Sequence, residues 1–297
     1  MEIKQEQKKG EISLFLQAIL WSFFPIITIL SYAAIPSMYS LLWSTLFASV
    51  FFAAVITYKG KWRELKNLLL WKYSFFIALS LGVLYYGFFF LGLRETTAGN
   101  AAIISQFEVF TIFFFFNVIH GEHASPEYKV GGALMVLGAL IVLGKDFTHF
   151  NMGDFFILIA TFCSPVGNLY QQKARTFASS ESIMLLRSIL SLPFIFAAAY
   201  FLHGSLAPAA IYSSLPFLLI NGILLLGISK ILYIEAIHRI PVPKAIALNS
   251  ITPLLTLLFA WPLLGQTPNI WQIISLVPIF FGVLLLTDNM KFKNNIS

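Results

Sequence analysis

Glu108 lies in the middle of residues 103–116, a stretch that is otherwise almost wholly apolar. Placing a carboxylate in such a run costs at least about 2.5–3.5 kcal/mol on membrane-insertion scales, so such residues usually face a protein interior and serve an ion or substrate path. Two chemistries suit it: pairing with an ammonium group of a small molecule, or holding a proton as a coupling site. The plainer alternative is a structural carboxyl bonded to a backbone carbonyl or to Arg187.

Other polar residues fall on helical spacings around it. Asn249, Thr252 and Thr256 stand at i, i+3 and i+7 and share one helical face. Ser105, Glu108 and Thr111 form the matching face earlier in the chain, with Ala101. Trp21, Tyr86 (with Tyr85) and Asn168 (with Gln172) complete the candidate substrate-binding set. Aromatic rings can cover a cation or stack on a ligand. The ordinary alternatives are interhelical hydrogen bonds of about 0.6 kcal/mol each and aromatic residues settling at a membrane interface. Arg187 is expected to snorkel to headgroups or pair structurally, and Lys230, Glu235 and Arg239 read the same way. His120-Gly-Glu-His123 lacks the spacing that puts two His on one helical face, so no metal is expected. No P-loop is present, and all five His fall at helix ends or in loops, away from a plausible nucleophile. The chain therefore reads as neither an ATPase nor another enzyme, and no cofactor is expected. The single cysteine, Cys163, is a packing residue in an apolar run.

The elements that position these residues follow from composition. Of 297 residues, 58% are hydrophobic and 11% charged, with a mean hydropathy of +0.82, whereas soluble domains carry roughly 25% charged residues. The bilayer is the solvent that fits. Spanning helices need about 20 mostly apolar residues, and ten runs qualify, near 12–32, 37–57, 71–92, 97–119, 127–144, 153–172, 182–202, 213–236, 242–262 and 269–287. The breaks carry turn and charge signals such as Tyr58-Lys59-Gly60-Lys61, Gly144-Lys145-Asp146 and His203-Gly204. With a cytoplasmic N-terminus, the outer segments hold only Arg94 and Lys145; Arg187 falls within a helix and every other Lys and Arg lies on the inner side. This positive-inside asymmetry places both termini in the cytoplasm. The net positive charge is a topology signal and does not point to nucleic acid as a partner, because the basic residues sit in short loops between apolar runs.

The chain also repeats. Residues 94–111 read RETTAGNAAIISQFEVFT and residues 239–256 read RIPVPKAIALNSITPLLT, an offset of 145 that pairs Thr111 with Thr256. At an offset of 144, Gly131 pairs with Ser275 and Gly138 with Gly282. Five runs per half is an odd number, so the second half enters the membrane from the opposite side. The expected fold is an all-α membrane protein of ten transmembrane helices in two inverted five-helix repeats, residues 1–147 and 148–297. In such folds the site lies near the midplane between halves, and broken helices point toward it. Pro25 and Pro165 are expected to interrupt the first helix of each half. The small faces of the fifth and tenth helices suit close packing. A homodimer through them is the alternative to a monomer.

Particular residues resemble the drug/metabolite transporter superfamily, and the chain is similar to an EamA-type permease. Tyr233, Ala236, Ala245, Ala247, Asn249, Thr252-Pro253 and Leu264-Gly265 resemble that family's Tyr-x-x-Ala run, alanine-rich helix start, Thr-Pro step and closing Leu-Gly-Glu. Ala98, Asn100, Ala101, Ala102 and Gly121-Glu122 resemble the same block in the first half, and Trp21-Ser22 the family's Trp-Gly/Ser start. Three positions depart: Gln266 for Glu, Trp43 where Arg is frequent, and Glu108 in the slot that holds Pro253 in the other half. The resemblance implies a secondary transporter of the bacterial cytoplasmic (inner) membrane. It implies alternating access around a central cavity lined by helices four and nine, and export of an amino acid, amine or similar metabolite. Its partners are then that substrate and membrane lipid. An intramembrane enzyme acting on a lipid or peptide would form product without translocation, and a receptor would bind without flux.

Overall fold

The structure is a computed structural model, and it describes residues 2–120, 126–143, 151–240 and 242–287. Every regular element among them is helical: α1 (Glu2–Ser22), α2 (Phe24–Ser31), α3 (Ser37–Lys59), α4 (Leu68–Ile77), α5 (Tyr86–Leu93), α6 (Ala98–Ser105), α7 (Phe107–His120), α8 (Pro126–Leu143), α9 (Met152–Arg175), α10 (Ser180–His203), α11 (Pro208–Leu219), α12 (Ser229–Arg239), α13 (Val242–Asn249), α14 (Thr252–Leu264) and α15 (Ile270–Leu286). A 3₁₀ turn, Trp62–Lys66, precedes α4. Eight helical runs are long and apolar enough to cross a membrane, from Gln5–Ser31 to Ala209–Ile237, and two shorter apolar helices, Thr252–Leu264 and Ile270–Leu286, follow. The helix ends obey local chemistry. Gly60 takes φ 65° to close α3, Gly265 takes φ 66° to close α14, and Asn269 with Gln272 forms a capping box on α15. The expected Gly144-Lys145-Asp146 break lies outside the described residues.

Packing pairs the early helices with the late ones. α1 lies against α12, α5 against α9, α3 against α10, and α8 against α15. Exchanging the two sequence repeats maps this set of pairs onto itself, which is the packing a duplicated chain produces. The small faces are used up inside the molecule: a Cβ on Gly131 would stand 3.0 Å from the Gly282 carbonyl oxygen, and one on Gly282 would stand 2.9 Å from that of Gly131. Close backbone approach of this kind is what small residues permit between membrane helices.

Two polar clusters fasten the ends. At one end, Asp154 in the first turn of α9 accepts from Thr96 and from Asn100 Nδ2 (3.0 Å), while Gln272 Nε2 donates to Asn100 Oδ1 at 2.7 Å. Gln266 Oε1 accepts the Ala98 N–H at 2.9 Å and so caps α6 from the far end of the chain. At the other end, Glu64 accepts from the Ser179 N–H (2.8 Å) and hydroxyl (2.7 Å), and Lys59 and Lys61 flank Glu181. Burial pushes the Glu64 carboxyl up, but the Ser179 hydrogen bonds and the nearby Lys61 charge outweigh it and hold the carboxyl below its ordinary value.

The helix interruptions depart from the expectation in one place. The first break falls at Phe23, beside Pro25, as expected. α9, however, runs unbroken through Pro165. Proline removes the N–H that the Thr161 carbonyl would accept. The Thr111 hydroxyl (2.7 Å) and the Ser164 hydroxyl (3.1 Å) satisfy that carbonyl instead, so the helix need not open. The paired interruptions lie elsewhere. α6 gives way to α7 at Gln106 and α13 to α14 at Ser250-Ile251, corresponding places in the two repeats. π-helical segments, Ala78–Tyr85 and Ile220–Ile228, also occupy matching positions, joining α4 to α5 and α11 to α12.

Candidate functional site

A cavity of ≈ 240 Å³ lies among these interruptions. The α1–α2 break supplies Trp21, Phe24 and Pro25; the end of the first π segment supplies Tyr85, next to Tyr86. The α6–α7 break supplies Ser105, Gln106 and Glu108, and the α13–α14 break supplies Asn249, Thr252 and Thr256. Asn168 and Gln171 enter from α9, Met184 and Arg187 from α10, and Lys230 and Tyr233 from α12. Interrupted and π-bulged helices free backbone groups and re-aim side chains, which is why they recur at functional sites.

Glu108 is held at the first turn of α7, where the helix dipole favours a carboxylate. Tyr85 Oη donates to Oε2 at 3.1 Å and Asn168 Nδ2 to Oε1 at 3.5 Å. The two cations expected to snorkel or pair structurally lie over aromatic rings. Lys230 Nζ sits 3.6 Å over the Trp21 ring, and the Arg187 guanidinium sits 5.0 Å over that of Tyr86. Both line the cavity; Trp21 of α1 and Tyr86 of α5 give them aromatic faces that sequence separation concealed. Among the described residues, none of Glu108, Arg187 and Lys230 is in an ion pair. Arg239, by contrast, pairs with Glu235 and with Glu6, the structural pairing expected of it.

Of the expected site residues, Glu108, Ser105, Asn249, Thr252, Thr256, Tyr86, Trp21 and Asn168 come together on this cavity, and Tyr85 joins them. Thr111 does not line it; its hydroxyl is committed to the carbonyls of Glu108 (3.0 Å) and Thr161. Gln171 faces the cavity in place of Gln172. Thr256 does line it, yet its hydroxyl donates to the Ser22 carbonyl at 3.0 Å. The repeat-paired threonines thus make the same kind of tie, each to a backbone carbonyl of a broken or proline-bearing helix. Gln17, Phe24, Gln106 and Tyr233 were not singled out as site residues in the sequence; a charged residue inside the 213–236 run was the one available signal for Lys230. The resembled Gly121-Glu122 motif and His123 lie outside the described residues, as does His149. Among the described residues no group of three metal-ligating side chains stands together.

Comparison with known proteins follows the same division of the chain. The EamA-like transporter family matches twice, over residues 8–144 and 151–288. No curated relative matches the chain. A solved structure, described as a crystal structure of a protein, superposes with a TM-score of 0.64 at 17% identity, covering 94% of this chain and 96% of that one. At that identity the likeness shows the fold.

Proposed function

Because the chain belongs to the EamA-like transporter family, we propose that it is a secondary transporter that carries a small zwitterion, such as an amino acid, through this cavity. One observation carries the reading: a carboxylate and two cations face one small space without pairing with each other. Charges inside a membrane protein are costly and are retained where they serve a path. A substrate with an ammonium and a carboxylate would satisfy both signs in one step. The family is one of transporters, so flux rather than catalysis or bare ligand binding is the activity to test.

The ten-span, two-inverted-repeat topology with both termini in the cytoplasm is the arrangement that accounts for the basic-residue asymmetry. It fits a bacterial inner membrane and alternating access by rocking of two halves, residues 1–147 and 148–297. The lining residues of α9 and α10 cluster toward the end holding Arg175 and Ser180. That is the basic, cytoplasmic end in this topology, and loading from it supports export. Glu108 serves the ammonium group or a coupling proton. In liposomes containing the purified protein, zwitterionic amino acids should drive a substrate-dependent current or counterflow, reduced at least about tenfold by Glu108→Gln. Undiminished transport by Glu108→Gln at every pH would remove Glu108 from the path; transport of amines alone would remove the zwitterion.

A further inference from the structure

The cavity holds more positive than negative charge, and the two signs are held differently. Glu108 is hydrogen-bonded by neutral donors, among them the Tyr85 hydroxyl at 3.1 Å and the Asn168 amide at 3.5 Å, and it feels the Lys230 charge without forming an ion pair with it. Lys230 and Arg187 rest on separate rings, Trp21 at 3.6 Å and Tyr86 at 5.0 Å. Those rings belong to one aromatic wall: Trp21 stacks on Phe24 at 4.4 Å, and Phe24 meets Tyr86 edge-on at 5.9 Å. An aromatic face attracts a cation but supplies no hydrogen-bond acceptor, so it replaces only part of the lost hydration. Arg187 also donates to a weak acceptor, the Met184 sulfur, at 3.4 Å. Among the described residues no carboxylate pairs with either cation. Neither is in an ion pair, so each can take one with an anion, and each is presented over its own ring.

A substrate can be matched against this set of one anion and two cations. A simple amine satisfies Glu108 and repels both cations. A neutral zwitterion leaves one cation without a partner, and a dicarboxylate with no amine leaves Glu108 facing like charge. We infer that the substrate is a small primary amine carrying two separate anionic groups, an acidic amino acid, with Arg187 and Lys230 selecting for the second acidic group. This rests on the cavity being the substrate site, and it adds which zwitterion the site prefers.

Glutamate and glutamine differ chiefly in the charge of one terminal group, which makes them the deciding pair. Counterflow is measured with the full-length protein in liposomes, using glutamate, glutamine, glutarate and leucine as probes. Glutamate should exchange at least about tenfold better than glutamine, with glutarate poor for want of an amine. Arg187→Met and Lys230→Met should each bring the glutamate-to-glutamine ratio to about one, while Arg187→Lys and Lys230→Arg keep it above one, showing that charge and not folding is the cause. Glutamine or leucine exchanging as well as glutamate in the wild type overturns the inference and leaves the zwitterion reading standing. A ratio unmoved by both methionine variants also overturns it. If none of the four probes exchanges, the zwitterion reading falls together with it.

Discussion

At the scale of single residues, the cavity separates side chains that face ligand space from those that hold helices. Thr111 is the clearest case of the second kind. The sequence places it on the Glu108 face, yet its hydroxyl is spent on the carbonyl that Pro165 leaves without a partner. Thr111→Val should lower thermal stability by about 0.6 kcal/mol. In a Pro165→Ala background the same change should cost less, because alanine at that position returns an N–H to the Thr161 carbonyl. A double-mutant cycle on melting temperature measures the difference, and additivity would refute the account. Tyr85→Phe removes one of the neutral donors on Glu108. It should reduce transport by a smaller factor than Glu108→Gln, since Asn168 remains, and parallel flux assays compare the two.

At the scale of elements, the two end clusters fasten helices that the interruptions would otherwise loosen. The Glu64 clasp joins the turn after α3 to the start of α10. Its carboxyl is held below the ordinary value, so it contributes stability that is present above the unfolded-state pKa and is lost as pH falls through the lowered folded-state pKa. Wild type should therefore melt above Glu64→Gln at neutral pH, with the gap closing on acidification below the usual carboxylate range. A gap that persists or widens in acid would contradict the clasp. At the opposite end, Asp154 ties α6, α9 and, through Asn100, α15. Asp154→Ala strands the Thr96 and Asn100 donors and should loosen that end of the bundle. In a Ser105→Cys, Cys163→Ala background, thiol labelling of the purified protein should then be faster than with Asp154 present; an equal labelling rate would show that the cluster does not restrict access to the cavity.

At the scale of the whole molecule, the duplicated chain packs as a set of exchanged pairs, with α8 and α15 meeting through glycine backbones. This uses internally the face that sequence reading offered as a dimer contact. Gly131→Leu drives a side chain into the Gly282 carbonyl and its neighbours, all within 3.1 Å of the new Cβ. Overpacking of this kind costs about 1–3 kcal/mol. The expected result is a lower melting temperature with no change in oligomeric mass; a changed mass at unchanged stability would place the face at a subunit interface.

Much of this protein was determined by sequence alone. Apolar run length dictates helices, because a chain in hydrocarbon must satisfy its own backbone; the first eight runs read from composition correspond to helical runs long enough to cross a membrane, and the last two to shorter apolar helices. The repeat at offset 145 put the helices that carry Ser105 and Glu108 and those that carry Asn249 and Thr252 at corresponding places, and these residues meet at one cavity. Helical periodicity carries facing information along one element, and duplication carries it to the next. What tertiary structure alone decided is where a break is tolerated and where a charge ends up. Pro165 looks the same in sequence whether or not a hydroxyl on another helix rescues its orphaned carbonyl. Lys230 and Arg187 could be assigned to the cavity only once Trp21 and Tyr86, distant in the chain, had been packed beneath them, because the partner that makes a buried charge tolerable is chosen by packing and not by spacing.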